Sequence, residues 1–219
     1  MNAIVIPVKS IEKSKQRLGR RFATAEREAL SLAMFRDVLA SVAASHRAEH
    51  VFIVTSDERV IREMAKFRVR TQGPSFEIIP EESELGENGA VKLSTEIALR
   101  RRVTSLLVLP ADIPLVRPDD VDALFDVALE NPGALFVPSR DRDGTNALLR
   151  RPPDVLSPRF GPGSFARHRS DADRMGVRTR VVENSRIELD IDTPHDVSLF
   201  ASIRSRTETY RTLFKMRYF

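Results

Sequence analysis

Apolar residues along this chain gather in short runs separated by amphipathic stretches. Residues 3–8 are a mostly β-branched run followed by Lys9, which predicts a buried strand. Runs at 51–54 (VFIV), 76–79, 106–109 (LLVL), 134–137, 147–149 and 177–182 predict further strands. Leu30, Met34, Val38 and Val42 recur at helical spacing and predict a helix over residues 25–45, with Thr24 as its N-cap. A short helix carries Ile61 and Met64, and another spans 90–101 after a glycine-containing turn at 85–89. Pro118 suits a first helical position, and Val121, Leu124, Phe125, Ala128 and Leu129 form the stripe behind it. The GPGS segment at 161–164 opens a helix with Phe165. Thr193, Pro194, His195 and Asp196 begin a last helix in the manner of a capping box, with Val197, Phe200 and Ile203 facing inward. Residues 206–219 are basic and aromatic and suggest no element.

Fully apolar strands alternating with amphipathic helices predict an α/β fold. The expectation is one domain over residues 1–219, with a mostly parallel central sheet flanked by helices. Ligands of such sheets bind beyond the carboxyl ends of the strands.

Composition then narrows the chemistry. The 219 residues, 42% hydrophobic, suffice for one sizeable core. Thirty-five Lys and Arg against 31 Asp and Glu leave a net charge of +4, which fits phosphorylated, anionic small molecules. With two Tyr, no Trp and no dense basic run, nucleic acid is not an expected partner. The absence of cysteine excludes disulfides, thiolate catalysis and cysteine-bound zinc. No apolar run is long enough to span a membrane, and the opening stretch is too short for a signal peptide, so a cytoplasmic protein is expected. There is no GxxxxGK[ST] phosphate loop. His46, His50, His168 and His195 show no metal-ligand spacing and read as surface or capping residues.

Four segments carry candidate chemistry. Asp112 follows the strand in LLVLPAD and belongs at the sheet's carboxyl edge, where it either binds a magnesium ion facing phosphates or caps the loop before Pro114. Asp190 and Asp192 are spaced by two in LDIDTP, so both carboxylates share one face of an extended segment; beside Asp112 they suit one or two magnesium ions, while helix initiation is the alternative for Asp192. The basic loop after the first strand, with Lys9, Lys13, Lys15, Arg17, Arg20 and Arg21, can hold a triphosphate and offset charge in phosphoryl transfer, a solvated loop being the alternative. Gly161, Gly163 and Ser164 at a helix start make an anion site, to which Thr145 and Asn146 can add a hydroxyl and an amide, although ordinary turn and cap chemistry explains each singly. Gly86, Asn88 and Gly89 form a weaker signal of the same kind.

The ordered set IPVK, KQRL, GENGA, LVLPADIPLV, DGTNALLRRPP, RFGPGSFARH and LDIDTP resembles the CofC-type guanylyltransferases, which act on phospholactate or phosphoenolpyruvate in deazaflavin coenzyme F420 biosynthesis. The most specific segments are GTNALL and RFGPGSFARH. The resemblance implies a Rossmann-like nucleotidyltransferase related to the GT-A fold. It implies that GTP and a phosphorylated three-carbon acid (2-phospho-L-lactate, phosphoenolpyruvate or 3-phosphoglycerate) give a guanylylated diphosphate and pyrophosphate. It implies Asp112, Asp190 and Asp192 as Mg2+ ligands, and Thr145, Gly161 and Ser164 as the hold on the acid. Lys9, Lys15 and Arg17 match the family's nucleotide-phosphate loop, and Gly86 and Asn88 its nucleotide-side turn. Two positions depart: Gln16 stands where the family has Ser or Thr, and Glu87 where it has Leu. A homodimer is an allowed assembly. The alternatives are a nucleotidyltransferase of the sugar-phosphate or molybdenum-cofactor type and a non-catalytic nucleotide-binding protein.

Overall fold

Strand β1 (Asn2–Pro7) decides the layering, because successive side chains of a strand point to opposite faces. Ala3 and Val5 enter one hydrophobic cluster, and Ile4 and Ile6 enter another. The computed structural model describes residues 1–67, 73–81 and 85–218. The other strands are β2 (His50–Thr55), β3 (Ser75–Pro80), β4 (Ser105–Val108), β5 (Gly133–Pro138), β6 (Thr145–Arg151) and β7 (Arg178–Val181). They form one sheet in the order β3-β2-β1-β4-β6-β5-β7. All pairings are parallel except those of β6, which runs antiparallel to both β4 and β5.

The reversal of β6 matters for the site. Its register sets Leu106 opposite Arg150 and Val108 opposite Leu148. The first residues of β6, Thr145 and Asn146, therefore lie at the rim where β1 and β4 end.

The helices are α1 (Thr24–Ala43), α2 (Glu58–Phe67), α3 (Gly86–Arg100), α4 (Pro118–Asp126), α5 (Ser164–Arg174), α6 (Ser185–Glu188), α7 (Pro194–Ser202) and α8 (Glu208–Lys215). α1, α2 and α4 cover one sheet face through Phe35, Val60 and Val121, and α3 and α5 cover the other through Val91 and Phe165. No helix of the described residues is long and apolar enough to cross a membrane.

Several boundaries differ from the sequence pattern. The glycine turn at 85–89 is mostly the first turn of α3, and Gly86 supplies its positive φ of 68°. Ala23 rather than Thr24 is the N-cap of α1, and its N–H is satisfied by Glu26 (2.8 Å). Ala128 and Leu129 lie beyond α4, although Leu129 is still buried. Arg150, in the strand, is fully buried, donates to Leu156 O and Thr95 Oγ1, and is pushed down to about 10 by burial.

Most of the unassigned tail also has a structure. α8 docks on α1, and Leu213 joins a third apolar cluster with Leu18, Leu30, Met34 and Phe200. Asp37 of α1 clasps the start of α8, accepting from Glu208 N (2.7 Å), Thr209 N (2.8 Å) and Thr209 Oγ1 (2.6 Å). Asp37→Ala should cost about 2 kcal/mol of stability, as expected for losing a cap with charge-assisted bonds. Urea denaturation would measure it, and an unmoved midpoint would mean that the apolar face alone holds α8.

Candidate active site

After β4 the chain turns through Pro110 to Asp112, whose carbonyl accepts from Ile191 N at 3.0 Å. That single bond pins the LDID segment to the end of the central strand. Asp112, Asp190 and Asp192 each present a carboxylate oxygen, and the three lie within 4.8 Å of one another. Asp112 Oδ1 is buried with no hydrogen-bond partner among the described residues. Helix initiation does not occupy Asp192: Thr193 and Asp196 cap α7 between them. Three converging oxygens with one left orphaned suit a hard divalent cation.

Lys15 lies against this cluster. It sits in left-handed backbone (φ 53°) at the start of the short 3-10 turn Gln16–Leu18. Its ammonium contacts Asp112 Oδ2 at 2.6 Å and Asp192 Oδ1 at 2.5 Å. Burial alone would favour neutral Lys15, but the two carboxylate charges outweigh it and hold the ammonium well above its ordinary range. Asp192 is correspondingly pulled down, because Lys15 overrides its desolvation. Asp190 has no such partner; burial first, then the Asp112 charge, pushes it up to about 6. Asn146 holds it in place by donating to Asp190 Oδ1 at 3.0 Å, while also donating to the Ile187 and Glu188 carbonyls.

A cavity of about 630 Å³ opens over the acids, and Thr145, Gly161 and Ser164 line its far side. Gly161 and Gly163 have φ of 107° and 69°, values that favour glycine and let the loop fold over the start of α5. Asp143 ties the loop down by accepting from Gly163 N at 2.9 Å. Thr145 and Ser164 are both buried, with their hydroxyls 3.4 Å apart. Asn88 and Phe160 exchange two hydrogen bonds, 2.7 Å and 3.2 Å, so the Asn88 amide links α3 to this loop.

Lys9 and Arg17 are exposed at the opposite rim and also line the cavity. Lys9 Nζ lies 4.0 Å from Glu87, and Arg17 Nη1 lies 4.0 Å from Asp192. Glu87 is pushed up to about 7 by burial; Asp112 and Asp192 add to the shift and Lys9 opposes it. Of the site residues read from the sequence, the three acids, Lys9, Arg17, Thr145, Gly161 and Ser164 line this cavity, and Lys15 lies against its acids. Gly86 and Asn88 stand in the first turn of α3 outside the lining, the Asn88 amide being taken up by Phe160.

A profile of the CofC-like guanylyl transferases matches residues 2–218. The chain belongs to this guanylyl transferase family. A phosphoenolpyruvate guanylyltransferase from Rubrobacter xylanophilus is 38% identical over 89% of this chain and 90% of its own length. A 3-phospho-D-glycerate guanylyltransferase from Colwellia psychrerythraea is 33% identical over 92% of each chain. A 2-phospho-L-lactate guanylyltransferase from Methanothermobacter thermautotrophicus is 28% identical over 98% of this chain and 90% of its own. A solved protein from Desulfovibrio desulfuricans G20, assigned as a nucleotide-diphospho-sugar transferase, shares the fold with a TM-score of 0.75 at 20% identity, covering 99% of this chain and 95% of that one.

Within this guanylyl transferase, one histidine is not a surface or capping residue. His168 is fully buried behind Thr145, where its Nδ1 lies 3.0 Å from Thr145 Oγ1. A sequence signal existed: Ser164 and His168 are four apart and share a face of α5. Arg140 at the cavity rim was also missed, and nothing in its local sequence marks it.

Burial, reinforced by Arg150 and Arg167, pushes His168 down to about 4. Above the ordinary value near 6.5 the ring is neutral folded or unfolded. As pH falls from about 6.5 to 4, the unfolded chain takes a proton that the folded site refuses, so stability drops by up to about 3 kcal/mol. Asp190 and Glu87, both pushed up, act in the opposite sense on acidification. The difference between wild type and His168→Gln in urea denaturation at pH 7 and pH 4.5 therefore isolates the histidine. The variant should lose less stability on acidification, and parallel losses would mean that His168 is protonated in the fold.

Proposed function

We propose that this protein transfers GMP from GTP to the phosphate of a phosphorylated three-carbon acid, releasing pyrophosphate and supplying deazaflavin coenzyme synthesis. Family membership supports guanylyl transfer, and the relatives' named substrates supply the three acids to test: phosphoenolpyruvate, 3-phospho-D-glycerate and 2-phospho-L-lactate. The observation that carries the reading is the convergence of Asp112, Asp190 and Asp192 beneath a cavity rimmed by Lys9 and Arg17.

The acid's phosphate oxygen attacks the α-phosphorus of GTP. A bond forms from that oxygen to phosphorus, the α–β anhydride bond breaks, and pyrophosphate leaves with the electron pair. A phosphate is already ionised at neutral pH, so the chain needs no strong general base. Its task is to align the two anions and offset their charge. Asp112, Asp190 and Asp192 hold magnesium, which screens phosphate charge when bound. Lys9 and Arg17 grip the triphosphate from the rim, and Gly86 and Asn88 shape the nucleotide side. Lys15 orients Asp112 and Asp192 and adds a positive charge near the transferred phosphoryl group. Thr145, Gly161 and Ser164 hold the acid's carboxylate end, at the distance from the acids that the cavity provides.

Purified protein incubated with GTP, magnesium and each acid separately should release pyrophosphate and yield a guanylylated diphosphate of the acid, detected by mass. Absence of both with all three acids rejects the assignment. Asp112→Ala should lower turnover on the order of a hundredfold or more. Near-normal turnover in that variant would remove the metal role of the triad. Chelation should abolish turnover, and added magnesium should restore it.

A further inference from the structure

His168 makes two hydrogen bonds from opposite sides of its ring, and together they fix its proton. Its Nε2 lies 2.9 Å from the backbone N of Arg159. A peptide N–H only donates, so Nε2 must carry the lone pair. The proton of the neutral ring is then on Nδ1, 3.0 Å from Thr145 Oγ1. Phe136 stacks on the ring at 5.9 Å and Phe160 meets its edge at 5.2 Å, which keeps the imidazole in place and away from water. A protonated ring would set a second N–H against the Arg159 N–H.

The consequence falls on Thr145. Its oxygen accepts from His168 Nδ1–H, and the Ser164 hydroxyl approaches as a second donor at 3.4 Å. With its lone pairs engaged, the hydroxyl hydrogen is left for the cavity that Thr145 and Ser164 line. A hydroxyl normally donates or accepts as its neighbours require. We propose that His168 is a positioning residue that makes the Thr145 hydroxyl a donor aimed at the acid substrate, so that this subsite selects an acceptor oxygen. This rests on the acid-binding role given to Thr145 above. The same ring holds the Arg159 backbone and hence the Gly161 loop, so it sets two of the acid's contacts from behind.

Two measurements separate this idea from the function itself. Nitrogen-15 chemical shifts of labelled imidazole in the intact protein read the tautomer without any turnover. The expected result is a protonated Nδ1 and an unprotonated Nε2 for His168; the reverse tautomer, or a charged ring at pH 7, overturns the proposal. Steady-state kinetics then test the coupling. His168→Gln can keep an acceptor for the Arg159 N–H, while its amide NH2 branches one bond farther from the backbone than Nδ1 and so does not stand where Nδ1 meets Thr145. It should raise KM for the acid about tenfold, with KM for GTP within about twofold. Thr145→Val should do the same, and the double variant should be no worse than either single one. Multiplying effects, or a change in KM for GTP as large as that for the acid, would show that His168 does not act through Thr145. If the wild-type protein turns over none of the acids, the guanylyl transfer reading fails and the acid-selecting role falls with it, while the tautomer result stands on its own.

Discussion

Three carboxylates within 4.8 Å of one another repel, and the rim of the sheet is arranged around that repulsion. At such a separation each pair costs roughly 3 kcal/mol for an effective dielectric near 20. Lys15 offsets part of it by bonding Asp112 and Asp192 at once. Asp190, outside that bridge, is shifted up instead and is steadied by the Asn146 amide. The left-handed backbone at Lys15 therefore has a structural reason: the basic loop must double back after β1 for the ammonium to reach the acids. A cluster with one resident monocation and one orphaned carboxylate oxygen remains short of positive charge, which suits it chemically to a divalent ion.

The placement of these groups follows from strand direction. β1 and β4 run parallel and end at the same rim, which brings the basic loop and Asp112 together. β6 enters between β4 and β5 in the opposite sense, so its beginning rather than its end reaches that rim. One reversed strand thus supplies Asn146 to the acids and Thr145 to the cavity. The rest of that side of the cavity is loop, and loops need ties. Asp143, Asn88 and His168 each take or give a backbone hydrogen bond to residues 159–163.

Much of this was legible in the residues. Fully apolar runs such as VFIV and LLVL gave buried strands, and an acid directly after one of them pointed to the sheet's carboxyl edge. The capping pair Thr193 and Asp196 was readable from its spacing, and it frees Asp192 for Lys15. Other features depended on tertiary contact. Residues 85–89 read as a turn because glycine is a weak helix former, yet packing of Ala90 and Val91 on the sheet extends α3 through them. The tail carries local signals of a helix, Thr207 as its N-cap and Leu213 on its buried face, but its docking on Asp37, over 170 residues away, is a tertiary contact. His168 shows no metal-ligand spacing and so reads as a surface residue, although its spacing of four from Ser164 already places the two on one face, the face that α5 buries.

In the proposed reaction, binding and rate belong together. An ionised phosphate nucleophile leaves the protein little proton chemistry to perform, so catalysis reduces to holding two anions in line. That requires the two sides of the cavity to share a frame. The Asn88 amide provides one: it stands in the first turn of α3, beside Glu87 and below Lys9, and its two bonds to Phe160 reach the loop that carries Gly161. Phe160 in turn packs on the His168 ring behind Thr145. One amide and one aromatic contact therefore connect the two halves of the cavity. The acids sit apart from that bridge, fixed to β4 through the Ile191–Asp112 backbone bond and to β6 through the Asn146 amide.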